Sequence, residues 1–142
     1  MNAAARSATV IVLAHLLVNI LHGRAHRILH VDLTPVQLSF VLLVILVAPL
    51  VGMVLIWTPK KRAGLILLAA SMFASLLFGL YHHFVASGPD HVHAQPPGPW
   101  SLIFVLTAYG LLIAEAIGTY VGIHLLAHAS AAPENRSQQK SA

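Results

Sequence analysis

The chain has 142 residues, of which 58% are hydrophobic and only 8% charged, and its mean hydropathy is +0.81. A soluble domain of this size carries about 25% charged residues, so the composition excludes an ordinary water-soluble globule. The formal net charge is +4, but the basic residues are scattered over turns and ends and build no nucleic-acid-binding surface. The absence of cysteine removes disulfides, thiolate metal ligands and cysteine nucleophiles.

A bilayer core about 30 Å thick requires about 20 apolar residues per helical crossing. Four stretches meet this requirement: 8–30, 36–57, 64–85 and 100–126. The expected fold is therefore an all-α integral membrane protein, a bundle of four transmembrane helices formed by residues 1–130. Residues 131–142 are polar and are expected to form a disordered cytoplasmic tail.

The first span is the most polar. His15, Asn19, His22, His26 and His30 fall within a stripe about 80° wide at about 100° per residue. Polar side chains on an apolar helix face protein, water or a ligand, so this stripe marks the side that looks inward. Arg6, an apolar run and Gly23-Arg24-Ala25 together imitate a signal peptide. Cleavage would discard part of the stripe, however, and His15 and Asn19 are foreign to an apolar signal core. The segment is read as a retained span.

Asp32, Thr34 and Pro35 make a short turn, with Thr34-Pro35 opening the second helix. That helix carries no charge from Ser39 to Trp57 and is expected to be a lipid-facing wall, bent by Pro49 and Gly52. Lys60, Lys61 and Arg62 form a basic turn. In the third span Ser71, Ser75 and Gly79 make a ridge of small residues that lets helices approach closely, and His82 and His83 end it. The loop from Ser87 to Pro99 is rich in proline and glycine and contains Asp90-His91-Val92-His93. The fourth span carries Glu115 near its middle. Tyr120, His124 and His128 lie on the face away from Glu115 and read as interfacial residues.

Arg6, the Lys60–Arg62 turn and the tail share one side, which the positive-inside rule makes cytoplasmic; Arg24 and Arg27 alone oppose it. Both termini are expected inside, in a multi-pass protein of a bacterial inner membrane.

This topology gathers His22, His26, His30, Asp32, His82, His83, Asp90, His91 and His93 at the outer face. Imidazole is the commonest transition-metal ligand and carboxylates complete many such sites. A divalent transition metal is therefore expected there, with His22, His26 and His82 as the leading ligands and His83, His30, Asp90, His91 and His93 as further candidates. Zinc, Cu(II), iron, nickel and cobalt suit imidazole, whereas magnesium does not, and three methionines with no cysteine argue against a Cu(I) carrier. Metal transport or handling, or a metal-dependent membrane subunit, would follow.

Two alternatives use the same features. A b-type haem would sit between His22 or His26 and His82, with Arg24 and Arg27 meeting its propionates. An assembly subunit of a membrane complex would need neither metal nor haem. The chain is short for a lone transporter, so a homo-oligomer or a larger complex is the expected context besides the lipid bilayer. Deeper in the membrane, His15 and Glu115 fall at comparable depth. Their pairing, with Asn19 as a bridge, would make an intramembrane polar path or simply a bonded pair joining two helices. No nucleotide-binding or hydrolase motif occurs.

Overall fold

The computed structural model describes residues 3–131, which form helices joined by turns and one longer loop, with no strand among them. Helix α1 runs Ala3–Ile28. Helix α2 covers Pro35–Ile56 in three continuous parts: an α-helical start at Pro35–Phe40, a wide π-helical stretch at Val41–Val47 and an α-helical end at Ala48–Ile56. Helix α3 covers Lys61–Val85, its last residues Tyr81–Val85 again in π geometry. Helix α4 is Pro99–Ala131. All four are long and apolar enough to cross a membrane. They begin and end within a few residues of the expected bounds, except that α1 starts earlier and α4 continues to Ala131. The tail expected over 131–142 otherwise lies outside the described residues.

Local chemistry explains the boundaries. Thr34 caps α2 in a reciprocal box: its hydroxyl accepts from the Gln37 N–H at 3.3 Å while Gln37 Oε1 accepts from the Thr34 N–H at 2.8 Å, and Pro35 occupies the first turn, where its missing N–H costs nothing. Inside α2, Pro49 has no N–H for the Ile45 carbonyl and its ring would strike that carbonyl in a regular helix. The helix widens just before it, and the Ala48 N–H reaches five residues back to the Leu43 carbonyl. The expected bend at Pro49 is thus taken up by a π stretch.

Helix α4 packs against both α1 and α3, while α3 packs against α4 on one side and the Ala48–Ile56 part of α2 on the other. At the α2–α3 crossing the backbones touch. A Cβ on Gly64 would come within 2.7 Å of both the Gly52 carbonyl and the Ile56 nitrogen. On the next interface, a Cβ on Gly122 would meet Ala69 at 2.9 Å. Ser71 and Ser75 are buried as the small-residue ridge implies; their hydroxyls bond back to the carbonyls of Leu68 and Ser71, so they fill space without leaving a stray donor.

Two apolar clusters form the core. One, around Ala8, Val12, Ile56, Leu65, Leu68 and Met72, lies toward the end that carries the Lys60–Arg62 turn. The other, around Ala25, Val92, Phe104 and Ala108, lies toward the opposite end. Large apolar side chains such as Leu17, Leu43, Leu106 and Ile113 cover the outside, a surface suited to lipid contact.

Gly64→Leu tests the crossing. Overpacking costs about 1–3 kcal/mol, so thermal unfolding in detergent should occur at clearly lower temperature. Gly23→Ala, whose Cβ meets nothing within 4 Å, should leave it unchanged or raise it, since alanine is the better helix residue by about 0.5–1 kcal/mol.

Candidate metal centre

The end of α1 sets two imidazoles one turn apart. His22 is buried and His26 half-buried. The helix stops in a Schellman turn: the Val31 N–H bonds the His26 carbonyl at 3.0 Å, the His30 N–H bonds the Arg27 carbonyl at 3.4 Å, and His30 takes a left-handed φ of 55°. This is the geometry glycine usually supplies at a helix end. His30 therefore closes the helix, and its exposed side chain stays outside the cluster.

The third imidazole is that of His83, not His82. A π turn rotates the chain less per residue than an α turn, so Tyr81–Val85 turns His83 back toward the Gly79 face. His83 is buried, with its Cδ2 beside Gly79. His82 points elsewhere: its ring packs on Phe78 and Tyr81 at centroid distances of 4.4 and 5.1 Å, and the Gln37 amide lies 3.4 Å from its Nδ1. The expected trio His22, His26, His82 is corrected accordingly, because a 3.6-residue repeat does not hold through a π turn.

His22, His26 and His83 each bring one ligand nitrogen within 4.8 Å of the other two. Their rings surround Phe104 at centroid distances of 4.8, 5.0 and 5.6 Å, and Phe104 is fully buried. The loop after α3 folds back over them. The Val92 N–H bonds the His83 carbonyl at 3.0 Å, which seats Asp90 with its Oδ1 at 3.1 Å from His83 Nδ1 and 3.3 Å from His26 Nε2.

Each ring has its Nδ1 against an oxygen. His22 Nδ1 lies 2.8 Å from Thr107 Oγ1, whose own proton goes to the carbonyls of Ile103 and Phe104. His26 Nδ1–H donates to the Val31 carbonyl at 3.1 Å, and His83 Nδ1–H to the Asp90 carbonyl at 3.1 Å. Carbonyl partners, which can only accept, place the ring proton on Nδ1 in His26 and His83. His22 Nε2 and His26 Nε2 face one another at 3.1 Å. A proton on one of the two rings, or a cation held by both, would satisfy this contact. A tetrahedral ion with bonds of about 2.0–2.1 Å sets its nitrogens about 3.3 Å apart. Nδ1–H bonded to a carbonyl or carboxylate is also the usual support of a metal-bound histidine.

Asp90 Oδ1 is buried without a well-directed hydrogen bond. Burial pushes its carboxyl up, but the hydrogen bonding and charge of His83, followed by the charges of His26 and His22, outweigh this and hold it below the usual carboxylate range. It can complete a three-imidazole set as an anionic ligand.

The remaining candidates lie apart. His91 and His93 pair with each other, rings 5.3 Å apart, at the loop surface. Asp32 is exposed at the rim of a cavity below the cluster. Arg24 lies over the Trp100 ring at 5.6 Å, and Arg27 lines the cavity rim. Tyr120, His124 and His128 form an aromatic column away from the site.

The deeper pair is present. His15 and Glu115 are both buried, with Nε2 and Oε1 3.3 Å apart. Asn19 does not bridge them: its amide nitrogen lies 3.0 Å from both the His15 carbonyl and His15 Nε2. Glu115 Oε2 has no hydrogen-bond partner.

Thr107 and Phe104 are the site residues that sequence reasoning missed. A threonine and a phenylalanine in an apolar helix carry no signal of their own, and only the packing of α4 against α1 reveals their role.

Asp90 supplies a pH test. Its folded-state pKa lies below the unfolded value, so its contribution to stability is present above about pH 3.9, the ordinary aspartate value, and is lost as pH falls through the folded value. Thermal stability measured against pH should show this acid limb, and Asp90→Asn should flatten it.

Comparison of this chain with protein-family models, with curated proteins and with solved structures finds no match to any of them.

Proposed function

We propose that this is a multi-pass membrane protein that holds a divalent transition metal through His22, His26 and His83, with Asp90 as fourth ligand. The observation that carries the reading is the convergence of three imidazoles from two helices, each bringing a ligand nitrogen within 4.8 Å of the other two, with His22 Nε2 and His26 Nε2 only 3.1 Å apart. Three imidazoles and one carboxylate or water suit zinc, Cu(II), iron, nickel or cobalt. The positive-inside rule assigns the Lys60–Arg62 turn to the cytoplasm, which puts the metal at the opposite face.

The ion is resident rather than cargo. Between the histidines and Glu115 the cavity walls are chiefly apolar, among them Ile45, Ala108, Leu111 and Leu112, with Asn19 and Ser75 as the polar side chains on the way. A hydrated ion has little to hold it on that route. A metal ion also accounts for the geometry better than haem does. A haem held between α1 and α3 would need room for the porphyrin between two imidazoles, whereas His82 packs on Phe78 and Tyr81 and the His83 ring lies only 4.9 Å from that of His22.

Protein purified in mild detergent should contain about one transition-metal ion per chain by elemental analysis and show no Soret band. His83→Ala should lower metal affinity at least tenfold, by analogy with the roughly 10–100-fold cost of losing even a supporting residue, while His82→Ala should leave it unchanged. Equal losses in both variants, or a metal-free wild type, would reject the assignment. Because ligand imidazoles must be neutral, acidification that protonates them should release the ion.

A further inference from the structure

Below the histidines lies a cavity of about 400 Å³, within the range of about 300–1,000 Å³ typical of small-molecule pockets. Its roof is the histidine cluster with Asp90, its floor is Glu115 with Asn19, and its walls are mainly aliphatic.

Two features define what fits. The first is Glu115, only 2% exposed, whose Oε2 is buried without a partner and borders the cavity beside Gly79. Its other oxygen is engaged with His15. Oε2 is thus free to accept a hydrogen bond from within the cavity, and an uncharged donor can supply it without carrying a desolvated charge past the aliphatic walls. The second feature is a side opening. Helix α1 packs on the Ala48–Ile56 part of α2, whereas the Val41–Val47 stretch leans on α3. The cavity reaches the surface in the resulting gap, where Arg27, Asp32 and Leu38 are exposed. Leu38 and Val41 place this opening along the apolar span, where lipid would lie.

We infer that the cavity is a binding pocket for a neutral, lipid-soluble molecule with a hydroxyl head, which passes between α1 and the outer half of α2 and donates its hydroxyl proton to Glu115 Oε2. The Glu115 anchor does not require the metal. Its bound partner would nevertheless share one compartment with the histidine cluster, so whatever the metal does, it does in the presence of this molecule. Gly79 keeps the passage between the two ends clear, with room for no more than a small side chain between Glu115 Oε2 and His83 Cδ2.

The test is photolabelling in lipid nanodiscs with a diazirine-bearing octanol and with the matching diazirine octane, adducts being mapped by mass spectrometry. The alcohol should label Ile45 and Leu111 in preference to lipid-facing Leu17 and Leu43, and excess octanol should compete. Glu115→Leu should cut that labelling about fivefold, the equivalent of one buried hydrogen bond of about 1 kcal/mol. Glu115→Gln, which keeps an acceptor oxygen, should restore it, and Gly79→Leu should block it by filling space. The octane should label the cavity weakly and respond to Gly79→Leu alone. Equal labelling by alcohol and alkane, or adducts confined to the lipid-facing residues, would overturn the inference. Metal content measured on the same samples separates the two assignments: a metal-replete wild type without cavity adducts defeats the pocket only, and cavity adducts in a metal-free protein defeat the metal centre only.

Discussion

The hydrogen bonds from three ring Nδ1 atoms to protein oxygens govern the site. In an apolar bundle no water is at hand to satisfy an imidazole, so each ring takes the orientation its available acceptor dictates. Thr107 offers a hydroxyl oxygen to His22, the Schellman turn offers the Val31 carbonyl to His26, and the returning loop offers the Asp90 carbonyl to His83. All three acceptors lie on the outside of the cluster. His22 Nε2 and His26 Nε2 are left facing one another at 3.1 Å, and the His83 ring brings a third ligand nitrogen within 4.8 Å of them.

Both departures from regular helix lie beside the cavity. In α2 the π stretch ahead of Pro49 presents Val41 and Ile45 to it, and in α3 the terminal π turn brings His83 to its roof. Such wide turns are unfavourable locally and tend to occur where a side chain must be re-aimed. The close backbone contact of Gly52 with Gly64, at the far end of α2, holds that helix to α3 and allows its other half to stand away from α1. The gap follows from where the small residues are and where they are not.

The bundle thus separates its polar groups into two layers, the histidines with Asp90 and the His15–Glu115 pair, with a mostly aliphatic chamber between them. The lower layer leaves one carboxylate oxygen without a partner, Glu115 Oε2, whereas Asp90 Oδ1 in the upper layer lies against His83 Nδ1 and His26 Nε2. A buried oxygen without a donor costs about 1–3 kcal/mol, and a hydroxyl ligand in the chamber would supply the partner Glu115 Oε2 lacks.

The number and rough limits of the helices, the inward stripe on α1 and the depth match of His15 with Glu115 were legible in the chain, because hydropathy and the 3.6-residue repeat act locally and both hold along α1. The choice of His83 over His82 was not, since two adjacent histidines at a helix end are distinguished only by the pitch of the last turn, which packing against α4 and the loop decides. Asp90 was separated from its neighbours His91 and His93 for the same reason: a loop's path depends on contacts distant in sequence, here Val92 to His83. Thr107, Phe104 and the chamber itself belong wholly to the tertiary structure. They arise where surfaces of different helices meet, and no periodicity within one helix records which residue of another will face it.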